Sequence, residues 1–154
     1  MGALEPILIH DLLSVCLKPI ERDLADRKVR IVRQIDRTSP EVCLDREQVR
    51  LVVVSLLAEA AAATVDGGRL RVCLKHNRAA VMLSIKDQGE GLTAEQRVAI
   101  LKDASRPACQ GAPLTIPECR EAVAGMGGSL FVNSTPGRGT TWYATFPPPK
   151  NRAF

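Results

Sequence analysis

A short acidic and glycine-rich turn follows one of the most apolar segments of the chain. The apolar run 80–85 alternates well enough to predict a buried β-strand, and Asp87, Gly89 and Gly91 come directly after it. Two glycines in three residues let the backbone approach a flat ligand closely. The carboxylate of Asp87 could accept a hydrogen bond from an exocyclic amine such as that of adenine. The same residues are also typical of a simple tight turn, so the rest of the sequence has to decide between the two interpretations.

The composition predicts a single folded domain and argues against a nucleic-acid-binding protein. The 154 residues are enough for one domain, 1–154, and an apolar fraction of 45% excludes a disordered chain. Aromatic residues make up only 3%, so the core has to be built from Val, Leu, Ile and Ala. The net charge is +4, and basic residues are interspersed with acidic ones. With one Trp and one Tyr there is no stacking platform for bases.

The cysteines and the chain termini indicate a cytoplasmic protein. The cysteines are odd in number and form no Cys-x-x-Cys pair, which favours reduced thiols that are mostly buried as small apolar side chains. The N-terminus lacks the pattern of a signal peptide. No apolar run approaches the length of a membrane span, so we expect no direct membrane contact. The cysteines are Cys16, Cys43, Cys73, Cys109 and Cys119.

Hydrophobic periodicity and capping signals predict four helices. Asp45, with Gln48 three residues on, is typical of an N-cap and capping box, and Thr93 and Thr115 open two later helices in the same way. Residues 102–116 are predicted to be irregular. The predicted helices cover about 8–27, 46–63, 93–101 and 115–125.

The remaining apolar segments predict strands separated by turn residues. Asp66-Gly67-Gly68 and Asn77-Arg78 are turn sequences, and Pro147-Pro148-Pro149 ends the last strand. This order of elements predicts an α/β two-layer sandwich with helices on one face of a mixed, largely antiparallel sheet. The predicted strands cover about 29–35, 41–44, 69–76, 80–87, 129–133 and 140–146.

Several segments occur in an order that is typical of one family. Residues 45–60 fall where that family has its N box, and residues 87–91 match its G1 box. Residues 120–128 resemble the helix after its G2 box, and residues 133–141 its final hairpin. Over nearly its whole length the chain therefore resembles the catalytic, ATP-binding domain of bacterial sensor histidine kinases. The resemblance implies a Bergerat-type fold of the GHKL ATPase superfamily, which includes DNA gyrase, and a role in phosphorelay signalling.

The resemblance also assigns residues to the adenine half of a nucleotide site. In that family the G1 aspartate binds the adenine amine, and the G1 glycines let the base lie against the backbone. By position these roles fall to Asp87, Gly89 and Gly91. Thr140 matches a hydroxyl residue that supports the same end of the pocket.

The phosphate half matches less well. The N box offers two polar residues one helical turn apart, here Ser55 and Glu59. Glu59 falls where the family usually has an Asn that ligates Mg²⁺. A carboxylate is also a hard oxygen ligand, but it repels phosphate oxygens, so the net sign of its effect is open. Of the G2 glycines in the expected ATP lid, about 102–116, only Gly111 is present.

Other expected phosphate contacts are missing. Ala62 replaces a lysine and Ala63 an aromatic residue of the family pattern, while Pro113 and Pro117 have no backbone N–H to donate. The lid also lacks its aromatic residue. Each lost charge-assisted contact weakens binding by about 1.5–3 kcal/mol, so two or three losses move a micromolar site to about the millimolar range. We predict a site for ATP or ADP with Mg²⁺ whose adenine half is kept and whose phosphate half is eroded.

The two histidines do not supply a phospho-acceptor. A histidine kinase phosphorylates a histidine on a separate helical hairpin, and the stretch between His10 and the N box is too short for one. We interpret residues 4–26 as the first helix of the ATPase domain, with His10 on its surface. His76, beside a predicted hairpin turn, is expected to be exposed.

Two functions follow from these observations. In the first, the chain is the catalytic domain of a two-component sensor histidine kinase, part of a longer protein, and the nearest enzyme class is protein histidine kinase. In the second, it is a pseudokinase-like module that docks a partner without using ATP. The expected partners are the dimerisation and histidine-phosphotransfer helices of the same or another kinase, and a response-regulator receiver domain. Anti-sigma-factor kinases are a third class, against which the final hairpin argues mildly.

Overall fold

The chain folds into helices packed on one face of a β-sheet, as predicted. The computed structural model describes residues 2–148, so Pro149 and the two ends of the predicted 1–154 domain lie outside the described residues. The strands are β1 (Leu4–Ile7), β2 (Arg30–Ile35), β3 (Val42–Asp45), β4 (Arg69–His76), β5 (Val81–Lys86), β6 (Ser129–Ser134) and β7 (Thr140–Phe146).

Five of these strands form the main sheet in the order β2-β4-β5-β7-β6. Only the β2–β4 pair is parallel, and the other three pairs are antiparallel. This confirms the mixed, largely antiparallel sheet. The arrangement places the end of β5 and the start of β7 side by side, with Lys86 in register with Thr141. Residues that are more than fifty positions apart in sequence therefore meet where these two interior strands end and begin.

The helices begin where the sequence predicts them. Asp45 accepts hydrogen bonds from the backbone N–H groups of Glu47 and Gln48, at 3.0 and 3.3 Å. The reciprocal bond from the Gln48 side chain is absent from the described region, so only half of that capping box forms. Thr93 and Thr115 both form complete capping boxes. The helices are α1 (Ile9–Asp26), α2 (Arg46–Ala63), α3 (Ala94–Lys102) and α4 (Ile116–Gly125).

The core lies between the helices and the inner face of the sheet. Val81, Leu83 and Ile85 of β5 are fully buried and alternate with half-exposed residues, which confirms the period of two. The core is mainly aliphatic, as the composition predicts, but Trp142 and Phe146 of β7 are also buried at its centre. Burying each large apolar side chain contributes about 1.5–3 kcal/mol, and this positions β5 and β7 firmly under α2.

Strand β1 corrects the prediction that residues 4–26 form one helix. Leu4–Ile7 instead pairs antiparallel with β3, with Ile7 opposite Val42. Pro6 would break a helix interior, but it is tolerated in an edge strand because it need not donate to the ladder. Ile7 is fully buried, which fixes the strand against the core.

Two smaller predictions are also refined. The β4–β5 connection spans residues 77–80 instead of Asn77 and Arg78 alone, because the Asn77 side chain accepts from the N–H groups of Ala79 and Ala80, at 2.7 and 3.0 Å. No disulfide forms among the cysteines, and most are buried, as predicted: Cys16, Cys73 and Cys119 are buried, Cys109 is half-buried and Cys43 is exposed.

Candidate nucleotide-binding site

Asp87 is held at the end of β5 by two backbone amides. Its Oδ1 accepts from the N–H of Gly89 at 2.9 Å and from the N–H of Thr140 at 3.0 Å. The Asp87 N–H in turn donates to the Thr140 carbonyl at 2.9 Å. Within residues 2–148 both side-chain bonds go to Oδ1, which leaves Oδ2 to accept from a ligand.

The environment of Asp87 makes ionisation harder than for an ordinary aspartate. The residue is only 1% exposed. Burial raises the pKa of its carboxyl group, while the N–H groups of Gly89 and Thr140 lower it and the charge of Glu59 raises it again. Burial is the largest of these effects, so the carboxyl is a buried acceptor whose charge is only partly compensated by the protein.

The G1 glycines are required by backbone packing. A Cβ on Gly91 would lie 2.1 Å from the Thr135 carbonyl oxygen, and Gly91 has a φ of +74°. A Cβ on Gly89 would lie 2.5 Å from the carbonyl oxygen of Ala63, at the end of α2. The sequence predicted that these glycines admit a ligand. The structure shows that a glycine at each position lets the turn close against α2 and the final hairpin; that these glycines also admit a ligand stays a prediction.

Thr140 is fixed from its side chain as well as its backbone. Its Oγ1 lies 2.8 Å from the Oγ of Ser134. Ser134 also accepts from the N–H of Leu92 at 2.7 Å and donates to the Gly139 carbonyl at 3.1 Å. Ser134 was not singled out by its sequence, although it precedes the hairpin turn, and it links the Asp87 corner to the segment that leads into α3.

A cavity of about 440 Å³ lies in front of this corner. Its volume falls in the range of small-molecule sites. Four of the predicted site residues, Glu59, Asp87, Gly91 and Thr140, line it, and Gly89 is next to it in the turn. The other lining residues are Ala62, Ala63, Thr64, Val65, Asp66, Glu90, Leu92, Ile100, Arg106 and Trp142.

The two N-box residues occupy different environments. Ser55 is 1% exposed and does not line the cavity. Its Oγ donates to the Leu51 carbonyl at 2.6 Å and accepts from the Leu114 N–H at 3.0 Å, so it joins α2 to the segment before α4. Glu59 lies one turn further along α2 and faces the cavity. The Cys109 thiol is near it: burial first, and then the Glu59 carboxylate, raise the pKa of Cys109 to about 12.

The lid region brings one unpredicted cation to the cavity. Arg106 lines the cavity from residues 103–115, between α3 and α4. Sequence reasoning missed it, although it is the one basic residue between Lys102 and the start of α4. Gly111, by contrast, is exposed, has a φ of +88°, and lies away from the cavity lining.

The cavity is acidic. Glu59, Asp66, Asp87 and Glu90 line it, against the single cation Arg106. Asp66 is partly neutralised by Arg27, at 2.9 Å. Residues 2–148 contain no cluster of three or more potential metal-ligating side chains. Among these carboxylates, Glu59 is the predicted Mg²⁺ ligand, and it lines the cavity from α2.

Neither histidine lies on the cavity. His10 is more buried than predicted, with its side chain 11% exposed and Nδ1 3.2 Å from Asp11 Oδ1. His76 is exposed, as predicted, and its Nδ1 lies 2.9 Å from Asp36 Oδ2.

A strand-end carboxylate beneath a helix-covered cleft, in a sheet of this order, defines the Bergerat class of ATP-binding folds. The family model described as histidine kinase-, DNA gyrase B- and HSP90-like ATPase matches residues 44–150. The chain belongs to this family of ATPases, which confirms the resemblance and the fold predicted from the sequence. Within the described residues, no helix is long and apolar enough to cross a membrane.

Individual relatives are sensor kinases. The adaptive-response sensory kinase SasA of Prochlorococcus marinus (strain MIT 9303) is 30% identical over 145 residues, covering 90% of this chain and 39% of its own length. The chain thus spans about two fifths of that relative.

Two solved structures show the same fold. Full-length ShkA in complex with AMPPNP superposes with a TM-score of 0.82 at 20% identity, covering 99% of this chain and 33% of ShkA. The histidine kinase ThkA in complex with the response regulator TrrA gives a TM-score of 0.79 at 16% identity, covering 94% of this chain and 42% of that one.

Proposed function

We propose that this chain is the ATP-binding catalytic domain of a two-component sensor histidine kinase. The observation that carries the proposal is the Asp87 carboxylate, whose Oδ1 is fixed by two amides and whose Oδ2 stays available. An acceptor held in a buried cleft recognises an exocyclic amine with little loss of conformational freedom. Adenine supplies such an amine, and the ATPase family matched by the chain supports adenine nucleotides as the ligand.

The remaining predicted residues take roles around this contact. Thr140 and Gly91 shape the adenine end, and Glu59 would hold Mg²⁺ that accompanies the nucleotide. Arg106 is the cation best placed to approach those phosphates, since it lines the same cavity from the lid. Ser55 and Gly111 act through the lid at 103–115. Because carboxylates outnumber cations on the cavity wall, nucleotide binding is expected to be weak and to depend on Mg²⁺.

The phospho-acceptor and the partners follow from the family. By analogy with the family, in which the acceptor lies on a separate helical hairpin, we assign the acceptor histidine to dimerisation helices outside this domain; neither His10 nor His76 lines the cavity. The structure of ThkA with TrrA supports a receiver domain as the downstream partner. Residues 1–154 are proposed to act as one domain, with phosphoryl transfer only where the acceptor helices are present.

Calorimetric titration with Mg-ADP tests the proposal. Saturable binding is expected, and Asp87→Asn should weaken it roughly 10- to 100-fold, the value of a hydrogen bond to a charged group. Asp66→Asn is the matched control. It removes the same charge from the same cavity, but the Asp66 side chain is 79% exposed and paired with Arg27, so its effect should be small. Absence of binding at millimolar Mg-ADP would instead identify a pseudokinase-like module.

A further inference from the structure

The face of the main sheet that points away from the helices is strongly basic. In the sequence, basic residues are interspersed with acidic ones, but the five strands of this sheet contain no Asp or Glu. Side chains along a strand point to the two faces in turn, so the residues between the buried positions of β4 and β5 point outward. The exposed cations that define this basic face are Arg30, Arg69, Arg71, Lys75 and Lys86.

The fold makes no use of these cations. None of them forms a salt bridge within residues 2–148, whereas Arg33, on the helix side of β2, lies 2.8 Å from Glu21. Arg71 and Lys86 are directly opposite each other in the antiparallel β4–β5 pair. Like charges at such positions, with Cβ atoms about 5 Å apart, destabilise a sheet. The charge of the basic face is therefore a feature that stability alone does not explain.

A stacked aromatic pair lies on the same side of the sheet, beside the cations. Phe131 of β6 and Tyr143 of β7 are cross-strand neighbours, and their ring centroids are 4.7 Å apart. Phe131 is 45% exposed, although it is a large apolar side chain. Tyr143 is in register with Ser84, two residues before Lys86, so the aromatic pair and the basic face form one continuous surface.

We propose that the basic face and its aromatic pair bind an acidic protein partner, one that presents carboxylates around an exposed apolar side chain. Arginine pairs with carboxylates through two parallel hydrogen bonds, and arginine and aromatic residues are enriched in protein interfaces. Each ring already covers one face of the other, which leaves little ring surface for a nucleic-acid base to stack on. Among the described residues of this surface, Phe131 is the one strongly exposed large apolar side chain, and it gives a bilayer little to bury.

The size of this surface predicts a weak and transient contact. Five strands about 4.8 Å apart and about six residues long give a face on the order of 500 Å², compared with about 800 Å² on each partner of a standard interface. Binding should therefore depend on charge and weaken as salt is added. The inference is independent of nucleotide binding, because none of the five cations lines the cavity around Asp87.

Titration with acidic peptides tests the proposal. The probes are two synthetic twelve-residue peptides with eight Glu each, whose other four residues are Phe in one and Ser in the other. In amide NMR spectra of the labelled chain, the Phe peptide should shift resonances of the main sheet and bind more tightly than the Ser peptide. Phe131→Ala should remove that difference between the peptides. Absence of binding, or shifts confined to the helices, would overturn the proposal.

Removal of the opposed cations tests the role of charge. Arg71→Gln combined with Lys86→Gln should weaken binding of the Phe peptide about tenfold, toward the upper end of what two exposed ion pairs contribute. Arg33→Gln combined with Arg46→Gln is the matched control. It changes the net charge equally, but these guanidinium groups already pair with glutamates at 2.8 and 2.9 Å, so most of the affinity should remain. Equal losses in both variants would show that net charge alone attracts the peptide.

Two further measurements complete the test. The variant without Arg71 and Lys86 should unfold about 1–3 °C above the wild-type protein, because it loses a repulsion between opposed like charges. A lower unfolding temperature would show that the fold needs these cations, against the premise of the proposal. A nine-nucleotide RNA, with eight phosphates, and vesicles of phosphatidylcholine with one third phosphatidylglycerol should bind more weakly than the Phe peptide. Tighter binding of either would replace the protein partner by a nucleic acid or a membrane.

Discussion

The two ends of the cavity are built in opposite ways. At the end proposed to bind adenine, backbone amides from the turn after β5 and from the start of β7 bind one oxygen of Asp87, and the other oxygen is left for a ligand. Near the lid, the two N-box residues differ: Glu59 faces the cavity, whereas Ser55 lies off it and its Oγ is already engaged by Leu51 and Leu114. Asp87 is thus held in one orientation with one oxygen available, whereas Ser55 connects α2 to the segment before α4.

The glycines show the same contrast. Gly139 at the adenine end has a φ of +77°, and a Cβ there would lie 2.3 Å from the Asp87 carbonyl oxygen. Gly111 in the lid has a φ of +88°, but nothing lies within 4 Å of its Cβ position. Gly139 is thus constrained by close backbone packing as well as by its φ, whereas Gly111 is constrained by its φ alone.

The largest predicted effect compares these two glycines. Gly139→Ala should lower the free energy of unfolding by about 3 kcal/mol or more, because it combines positive-φ strain with overlap against a backbone carbonyl. Gly111→Ala should lower it by only about 1 kcal/mol, from φ strain alone. Urea denaturation of both variants measures the difference. Equal losses would show that the two ends are packed alike.

The second prediction concerns charge at the phosphate end. Without Mg²⁺, Glu59→Asn should tighten ADP binding about five- to tenfold, the order of one screened repulsion between a carboxylate and a phosphate. With Mg²⁺ this gain in affinity should be smaller, because the Asn amide is a weaker ligand of the metal than the Glu59 carboxylate. Titrations in EDTA and in excess Mg²⁺ provide the test, with Asp66→Asn as control. Weaker binding of Glu59→Asn in EDTA would contradict the repulsion.

The third prediction concerns the link between α2 and the lid. Ser55→Ala removes the acceptor of the Leu114 N–H and should lower the free energy of unfolding by about 1 kcal/mol. Hydrogen exchange at the Leu114 amide should become faster. Ser14→Ala is the control. Ser14 Oγ likewise donates to a carbonyl four residues earlier, that of His10, at a distance of 3.1 Å. If both variants exchange alike at Leu114, Ser55 does not hold the lid.

The smallest effect is the dependence of stability on the charge of Asp87. Burial raises the pKa of this carboxyl group, so the folded state binds its proton more tightly than the unfolded state does. The contribution of Asp87 is then most favourable at acidic pH and declines as pH rises through the folded-state pKa. Asp87→Asn should therefore be at least as stable as the wild-type protein at pH 7. As pH falls, the wild-type protein should gain stability relative to the variant. Thermal unfolding over a pH series measures this, and the opposite trend would show that the amide bonds outweigh burial.

Much of the fold could be predicted because its signals are local. The caps at Asp45, Thr93 and Thr115 each depend on bonds within three residues, and the alternation in β5 depends on one strand. Strand β1 could not be predicted in this way. It has only four residues, and it forms because it pairs with β3, about forty residues away in the sequence.

The site residues also separate into those marked by local motifs and those placed by long-range packing. Asp87 and Gly91 lie in the turn after β5 and Thr140 directly follows the hairpin turn, and the structure places all three on the cavity. Arg106 and Trp142 lie on it as well, although no motif marks them, and Ser55 does not. Whether a residue faces the cavity depends on how the lid packs against α2 and on which face of β7 the helices cover. Residues close in sequence determine neither of these.

The sequence by itself determined the family, the order of helices and strands, and the carboxylate at the end of β5, because periodicity, capping and turn chemistry act over a few residues. Only the tertiary structure decided which oxygen of Asp87 is available, that Ser55 binds the lid, and that Trp142 Nε1 has no partner among residues 2–148. Those outcomes depend on contacts between residues as distant as Asp87 and Thr140. Such contacts exist only once burial of the core has brought β5, β7 and α2 together.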